Sequence, residues 1–218
     1  MSEIIKVLEI IGTIAFAVSG ALIAINAGLD IFGVVFVGCI TAFGGGIMRD
    51  ILLGITPPAI FSNLWMLYIA IFTAIIIFVF SYIKRNKFVI LKKKTEPINN
   101  LFDAIGLAAF TVIGAEIGCI NGFDDNCFVV TIIAMITGVG GGIFRDILID
   151  TKPYVFIKHI YALASIAGSV VYFLIRKYVG DITLGSVISM FLVVAIRILA
   201  TKYCWNLPKV EISDNMEE

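Results

Sequence analysis

The chain has 218 residues, of which 60% are hydrophobic and 15% charged, with a formal net charge of +0 and a mean hydropathy of +1.05. An ordinary soluble domain is about a quarter charged, because its surface must be wetted. The apolar excess therefore excludes a soluble globular fold, and the balanced charge excludes a bulk basic field for nucleic acid.

A hydrocarbon layer about 30 Å thick needs roughly 20 apolar residues of helix at 1.5 Å rise per residue. With that ruler the chain divides into seven spans: Ile4–Asn26, Ile31–Leu53, Leu64–Ile83, Leu101–Ile120, Cys127–Ile149, Phe156–Ile175 and Ile182–Tyr203. The connections are mostly short and rich in turn formers, as in Asn26–Asp30, Gly54–Pro58 and Asn121–Asn126. The small residues near Ala15–Ala21 resemble a signal-peptide end, but the apolar run is too long and its basic lead-in is only Lys6. It reads as a span.

Basic residues set the orientation. Lys84, Arg85, Lys87, Lys92, Lys93 and Lys94 follow span three, and Lys152, Lys158, Lys202 and Lys209 fall on the same side. The opposite side has mainly Lys6, Arg176 and Lys177. The positive-inside rule puts the C-terminus in the cytoplasm and the N-terminus outside. The basic stretch acts as a topology signal and also suits anionic membrane lipid.

The chain repeats itself. Thr41-Ala-Phe-Gly-Gly-Gly-Ile-Met-Arg-Asp-Ile-Leu52 returns as Thr137-Gly-Val-Gly-Gly-Gly-Ile-Phe-Arg-Asp-Ile-Leu148, 96 residues later, with Pro57 and Pro153 following at equal distance. Upstream, Gly12–Gly20 matches Gly106–Gly114, which makes Glu9 and Asp103 equivalent. Each repeat holds three spans, an odd number, so the two insert with opposite topology, and span seven is an addition. The expected organisation is a three-helix repeat over 1–86, a basic cytoplasmic linker over 87–100, a second three-helix repeat over 101–178, a seventh helix over 179–204 and a polar tail over 205–218. The fold class is an all-α integral membrane protein. Inverted repeats characterise transport proteins, with the pathway at the repeat interface near the midplane.

Two features carry the chemistry. The triplets Gly44, Gly45, Gly46 and Gly140, Gly141, Gly142 lie inside spans, where each glycine weakens a helix by about 1 kcal/mol relative to alanine. Unwound backbone is tolerated at membrane depth only inside protein or beside water, where its carbonyls could meet a passing cation. The competing role is close helix packing through small residues. Arg49 and Arg145 follow one turn later on the glycine face, while Asp50 and Asp146 are turned about 100° from the adjacent arginine. This spacing leads to an expected cross-repeat pairing, Arg49 with Asp146 and Arg145 with Asp50. Ionisable residues within spans are functional by default unless they snorkel to the interface. Glu116 and Arg197 are weaker candidates of the same kind.

Nothing reads as an enzyme: no Ser-His-Asp order, P-loop or dinucleotide fingerprint is present. The four cysteines, Cys39, Cys119, Cys127 and Cys204, form no C-x-x-C pair and read as small buried hydrophobes, and His159 stands alone, so neither a metal site nor a cofactor is expected.

At the paired Gly-Gly-Gly-x-x-Arg-Asp motifs, the Ala-Phe-x-x-x-Gly element of spans one and four, and Tyr161-Ala162 after Pro153, the sequence resembles the bacterial branch of the trimeric intracellular cation channel (TRIC) family. Members of this branch are also labelled glycine transporters. The resemblance covers about residues 5–203. It implies a homotrimer with a pore in each subunit between the two repeats, permeable to monovalent cations and chiefly potassium. It places Gly44–Gly46 and Gly140–Gly142 at the pore as kinks and Arg49 and Arg145 at the gate. The lipid and calcium regulation of animal members does not carry over. Two arginines beside a cation path need neutralising by Asp50 and Asp146, or must swing aside. Alternatively they bind the carboxylate of a zwitterion such as glycine, which is the transporter alternative.

Overall fold

The computed structural model describes residues 2–62, 64–157 and 160–205, with backbone alone for 85–95 and Ile157. The regular structure of the described residues is all helical: α1 (Glu3–Asn26), α2 (Ile31–Leu52), the short α3 (Ala59–Ser62), α4 (Leu64–Ile83), α5 (Arg85–Gly118) with a π-helical turn after it (Cys119–Phe123), α6 (Cys127–Leu148), the short α7 (Tyr154–Ile157), α8 (Ala162–Tyr178) and α9 (Ile182–Lys202). Six of the helical segments are long and apolar enough to cross a membrane. The remaining expected span, the sixth in chain order, is α8, which has 17 residues and starts at Ala162, not Phe156. Phe156 and Ile157 belong instead to α7.

Over the expected linker at 87–100 the backbone is helical. Backbone helix runs from Arg85 through Pro97 into the span, whose apolar part begins at Glu96. The side chains of Arg85, Lys87 and Lys92–Lys94 lie outside the described residues, as do Lys158, His159, Lys209 and the tail from 206 to 218.

Local chemistry explains the boundaries. Asp30 accepts a hydrogen bond from the Gly33 N–H at 2.8 Å, and Asn126 accepts from the Val129 N–H at 3.2 Å. These N-caps, 96 residues apart, start α2 and α6. The preceding turns need a left-handed residue, supplied by Gly28 (φ +81°) and Gly122 (φ +91°).

The core forms where the two halves meet, α1 against α5 and α2 against α6. Packing is reciprocal between equivalent residues. The rings of Phe16 and Phe110 stack at 5.3 Å, each seated over the other half's glycine, Gly106 beneath Phe16 and Gly12 beneath Phe110. Outward faces are apolar, with Phe72 on α4, Phe128 on α6 and Phe191 on α9 among the most exposed side chains. Such faces suit lipid. Helix α9 lies mainly against α5 and α8, with a smaller contact to α1. Of the cysteines, all are free thiols and only Cys119 is fully buried; Cys204 is exposed at the end of α9.

Candidate functional site

The glycine triplets sit where α2 and α6 cross. Both helices run unbroken through them, so the unwinding expected from the sequence is absent here. Steric contact gives the reason. A β-carbon on Gly45 would overlap the carbonyl oxygen of Thr137, and one on Gly141 would overlap that of Thr41. A β-carbon on Gly140 would come within 2.8 Å of the Gly45 α-carbon, and one on Gly44 within 2.7 Å of the Phe144 ring. Three of the six glycines, Gly45, Gly140 and Gly141, therefore serve backbone-to-backbone approach, and Gly44 makes room for the Phe144 ring. Gly46 and Gly142 instead face their own arginines, each with a guanidinium nitrogen 3.7 Å from the added carbon.

The arginines pair with their neighbours in sequence, not across the halves. Arg49 Nε donates to Asp50 Oδ1 at 2.8 Å, and Arg145 Nε donates to Asp146 Oδ1 at 2.8 Å. The cross-repeat pairing of Arg49 with Asp146 and Arg145 with Asp50 is thus corrected. The turn between adjacent side chains is real, but a long arginine curls back to reach it. The aspartate's second oxygen is fixed as well: Asp50 Oδ2 accepts from the Ala59 N–H and Asp146 Oδ2 from the Tyr154 N–H, each at 2.8 Å. Each aspartate thereby ties the end of a long helix to the short helix after the proline. All four side chains are buried, with no residue more than 6% exposed.

Beyond these shared features the two compartments diverge. Around Arg49 there is a cavity of about 180 Å³, lined by Glu9 and Thr13 of α1, Gly46, Arg49 and Asp50 of α2, Met66 of α4 and Phe110 and Ile113 of α5. Glu9 is half-buried, and the Thr13 hydroxyl is buried without a hydrogen-bond partner among the described residues. Around Arg145 the corresponding space is occupied. Its Nη1 donates to Ser19 Oγ at 2.9 Å and to Asp103 Oδ1 at 2.8 Å, and Ser19 in turn donates to Asn99 Oδ1 at 2.9 Å. Arg197 of α9 lies 3.6 Å from Asp103 Oδ2 and 4.4 Å above the Tyr161 ring.

Of the residues singled out in the sequence, Arg49, Asp50 and Gly46 line the cavity, while Arg145 and Asp146 lie in the closed cluster. Arg197 proves central to that cluster. Glu116 belongs to a separate group near the other end of α5, accepting from Tyr172 Oη at 2.6 Å and pairing with Arg176 at 3.0 Å. Ser19, Asn99 and Tyr161 were missed as site residues. Ser19 and Asn99 have apolar or unremarkable neighbours in sequence, and only a charge needing partners at Arg145 could have pointed to them.

Residues 6–82, and again 100–177, match the model of a family described as Glycine transporter. The UPF0126 membrane protein YvgT of Bacillus subtilis is 36% identical over 203 residues, covering 93% of this chain and 95% of that protein. A prokaryotic TRIC channel solved in 0.5 M KCl shares 37% identity and a TM-score of 0.83, over 95% of this chain and 100% of that one. The chain belongs to the TRIC family. A second TRIC cation channel structure agrees, at 34% identity and a TM-score of 0.83 over 95% of this chain and 98% of that one. Like its TRIC relatives the chain is a membrane protein, and the double match of one family model falls on the two halves that carry Arg49 and Arg145.

Proposed function

We propose that the chain is a monovalent cation channel that passes potassium, works as a homotrimer in a bacterial cytoplasmic membrane, and has a pore in each subunit between inverted repeats. The observation that carries the reading is the cavity at Glu9, Arg49 and Asp50, set in a fold shared with TRIC cation channels. Helix α8 completes the count of seven spans: its 17 residues reach about 26 Å, near the thickness of the hydrocarbon layer. With the N-terminus outside and the C-terminus in the cytoplasm, Arg49 faces the outer side and Arg145 the inner one.

The mechanism follows from charge. With Glu9 ionised, the outer cavity holds two carboxylates, Glu9 and Asp50, against one guanidinium, and this surplus draws cations in. Passage inward meets Arg145, whose guanidinium is held across α1, α5 and α6 by Ser19, Asp103 and Asp146. Arg145 acts as the gate in its closed position. Opening needs that side chain to leave Ser19 and Asp103, and the glycine triplets leave α2 and α6 free to bend or slide as it does.

A glycine transporter is the second reading, favoured by the description of the matching family and by a cavity that offers Arg49 to a carboxylate and Glu9 to an ammonium. Planar-bilayer recording of the purified protein under a potassium gradient tests both. Discrete openings with a cation-selective reversal potential support the channel. Silence, with glycine uptake into proteoliposomes of the same preparation, overturns it in favour of the transporter.

A further inference from the structure

We propose that Arg197, on the helix that has no counterpart in the other half, is the charge that shuts the inner compartment to cations and makes conduction asymmetric. This deepens the channel reading and rests on it. The two compartments are matched by sequence in Glu9 and Asp103, Arg49 and Arg145, Asp50 and Asp146. Without α9, each would hold two carboxylates against one guanidinium and each would attract a cation. Arg197 removes that equivalence.

The geometry is specific. Asp103 divides its oxygens between two cations, Oδ1 to Arg145 at 2.8 Å and Oδ2 to Arg197 at 3.6 Å. The Arg197 guanidinium carbon lies over the Tyr161 ring, 4.4 Å from its centroid, where the ring face attracts the charge. The residue is 2% exposed, yet its Nε and Nη1 have no hydrogen-bond partner among the described residues. Burying an under-bonded guanidinium is unfavourable, and a leucine or methionine would fill the space between α5 and α9 at less cost. The charge itself is therefore what the site retains. It cancels Asp103 and leaves the inner compartment neutral, while the outer one keeps its surplus carboxylate. A cation crossing the subunit meets an attractive site on one side and a neutral, doubly arginine-lined barrier on the other, so inward and outward currents differ.

The test is single-channel current against voltage in symmetric potassium chloride, with four variants in the full-length protein. Arg197→Gln restores the negative surplus and is expected to raise unitary current by about threefold or more, with loss of the wild-type rectification. Asp103→Asn leaves two guanidiniums against Asp146 and is expected to lower it by a similar factor. The double variant is balanced again and returns towards wild type, and Arg197→Lys keeps the rectification. A purely structural Arg197 predicts instead that both single variants lose current together. That outcome, or a folded Arg197→Gln with unchanged current and rectification, overturns the proposal. Should Arg197→Gln fail to assemble, Asp103→Asn still decides: raised current overturns the charge argument, lowered current with recovery in the double variant supports it. A silent wild type would be a different result, sinking the channel reading itself and this inference with it.

Discussion

The carbonyl oxygen of Thr137 occupies the place that a β-carbon on Gly45 would need, and Thr41 stands in the same relation to Gly141. The conflict is with backbone, which cannot rotate away as a side chain can. Gly45→Ala and Gly141→Ala are therefore expected to force α2 and α6 apart and to destabilise by about 1–3 kcal/mol or more. Gly46→Ala and Gly142→Ala meet nothing closer than 3.5 Å and gain helix propensity of about 1 kcal/mol. Thermal unfolding of the four variants in detergent checks the contrast. Equal melting temperatures across the four would contradict the packing role.

Arg49 and Asp50 form one buried unit, and so do Arg145 and Asp146. Double-mutant cycles on stability are expected to give coupling of about 0.5–3 kcal/mol within each adjacent pair and none between Arg49 and Asp146. Asp146→Ala is expected to cost less than the about 3–5 kcal/mol of a stranded buried charge, because Arg145 keeps Asp103 and Ser19. It also removes the acceptor for the Tyr154 N–H. A sizeable Arg49–Asp146 coupling would restore the cross-repeat pairing that the geometry does not show.

The contrast between what the residues announced and what they concealed has a physical basis. Hydropathy and the 96-residue repeat are properties of the chain alone, so the long helices and the equivalence of Arg49 with Arg145 could be read directly. The helix over 85–100 could not, because its basic residues carry the polarity of a loop whatever their backbone does. Pairing of Arg49 was misjudged because Cα–Cβ directions place Asp50 on another face, whereas four rotatable bonds let the guanidinium return. The difference between compartments lay beyond any repeat argument. It arises from Arg197 and Ser19, which sit on elements that the internal symmetry either omits or fills with another residue, Ile113 being the counterpart of Ser19.

Glu9 carries the surplus charge of the outer cavity and bonds to no arginine within hydrogen-bond distance among the described contacts. Glu9→Gln keeps shape and removes that charge. At low ionic strength, unitary potassium current is expected to fall several-fold, roughly to a third, and the difference should shrink in high salt as screening replaces it. A deficit independent of salt would assign Glu9 a steric role instead.

Glu116 is buried at 4% exposure and satisfied from one helix by two donors, the Tyr172 hydroxyl and the Arg176 guanidinium. The two contacts are not equivalent. Tyr172→Phe removes a hydrogen bond to a charged group, worth about 1.5–3 kcal/mol, while the carboxylate keeps its counter-ion. Arg176→Met leaves the carboxylate buried with a neutral donor alone, and breaking such a pair costs about 3–5 kcal/mol, less what the partly exposed arginine loses to solvent screening. Stability should therefore fall in the order wild type, Tyr172→Phe, Arg176→Met. Because the cluster joins α5 to α8 away from Arg49 and Arg145, the current through each surviving open channel should stay unchanged in both. Urea or thermal unfolding gives the order, and single-channel amplitude gives the second half; a reduced amplitude in Tyr172→Phe would move Glu116 from scaffold to pathway.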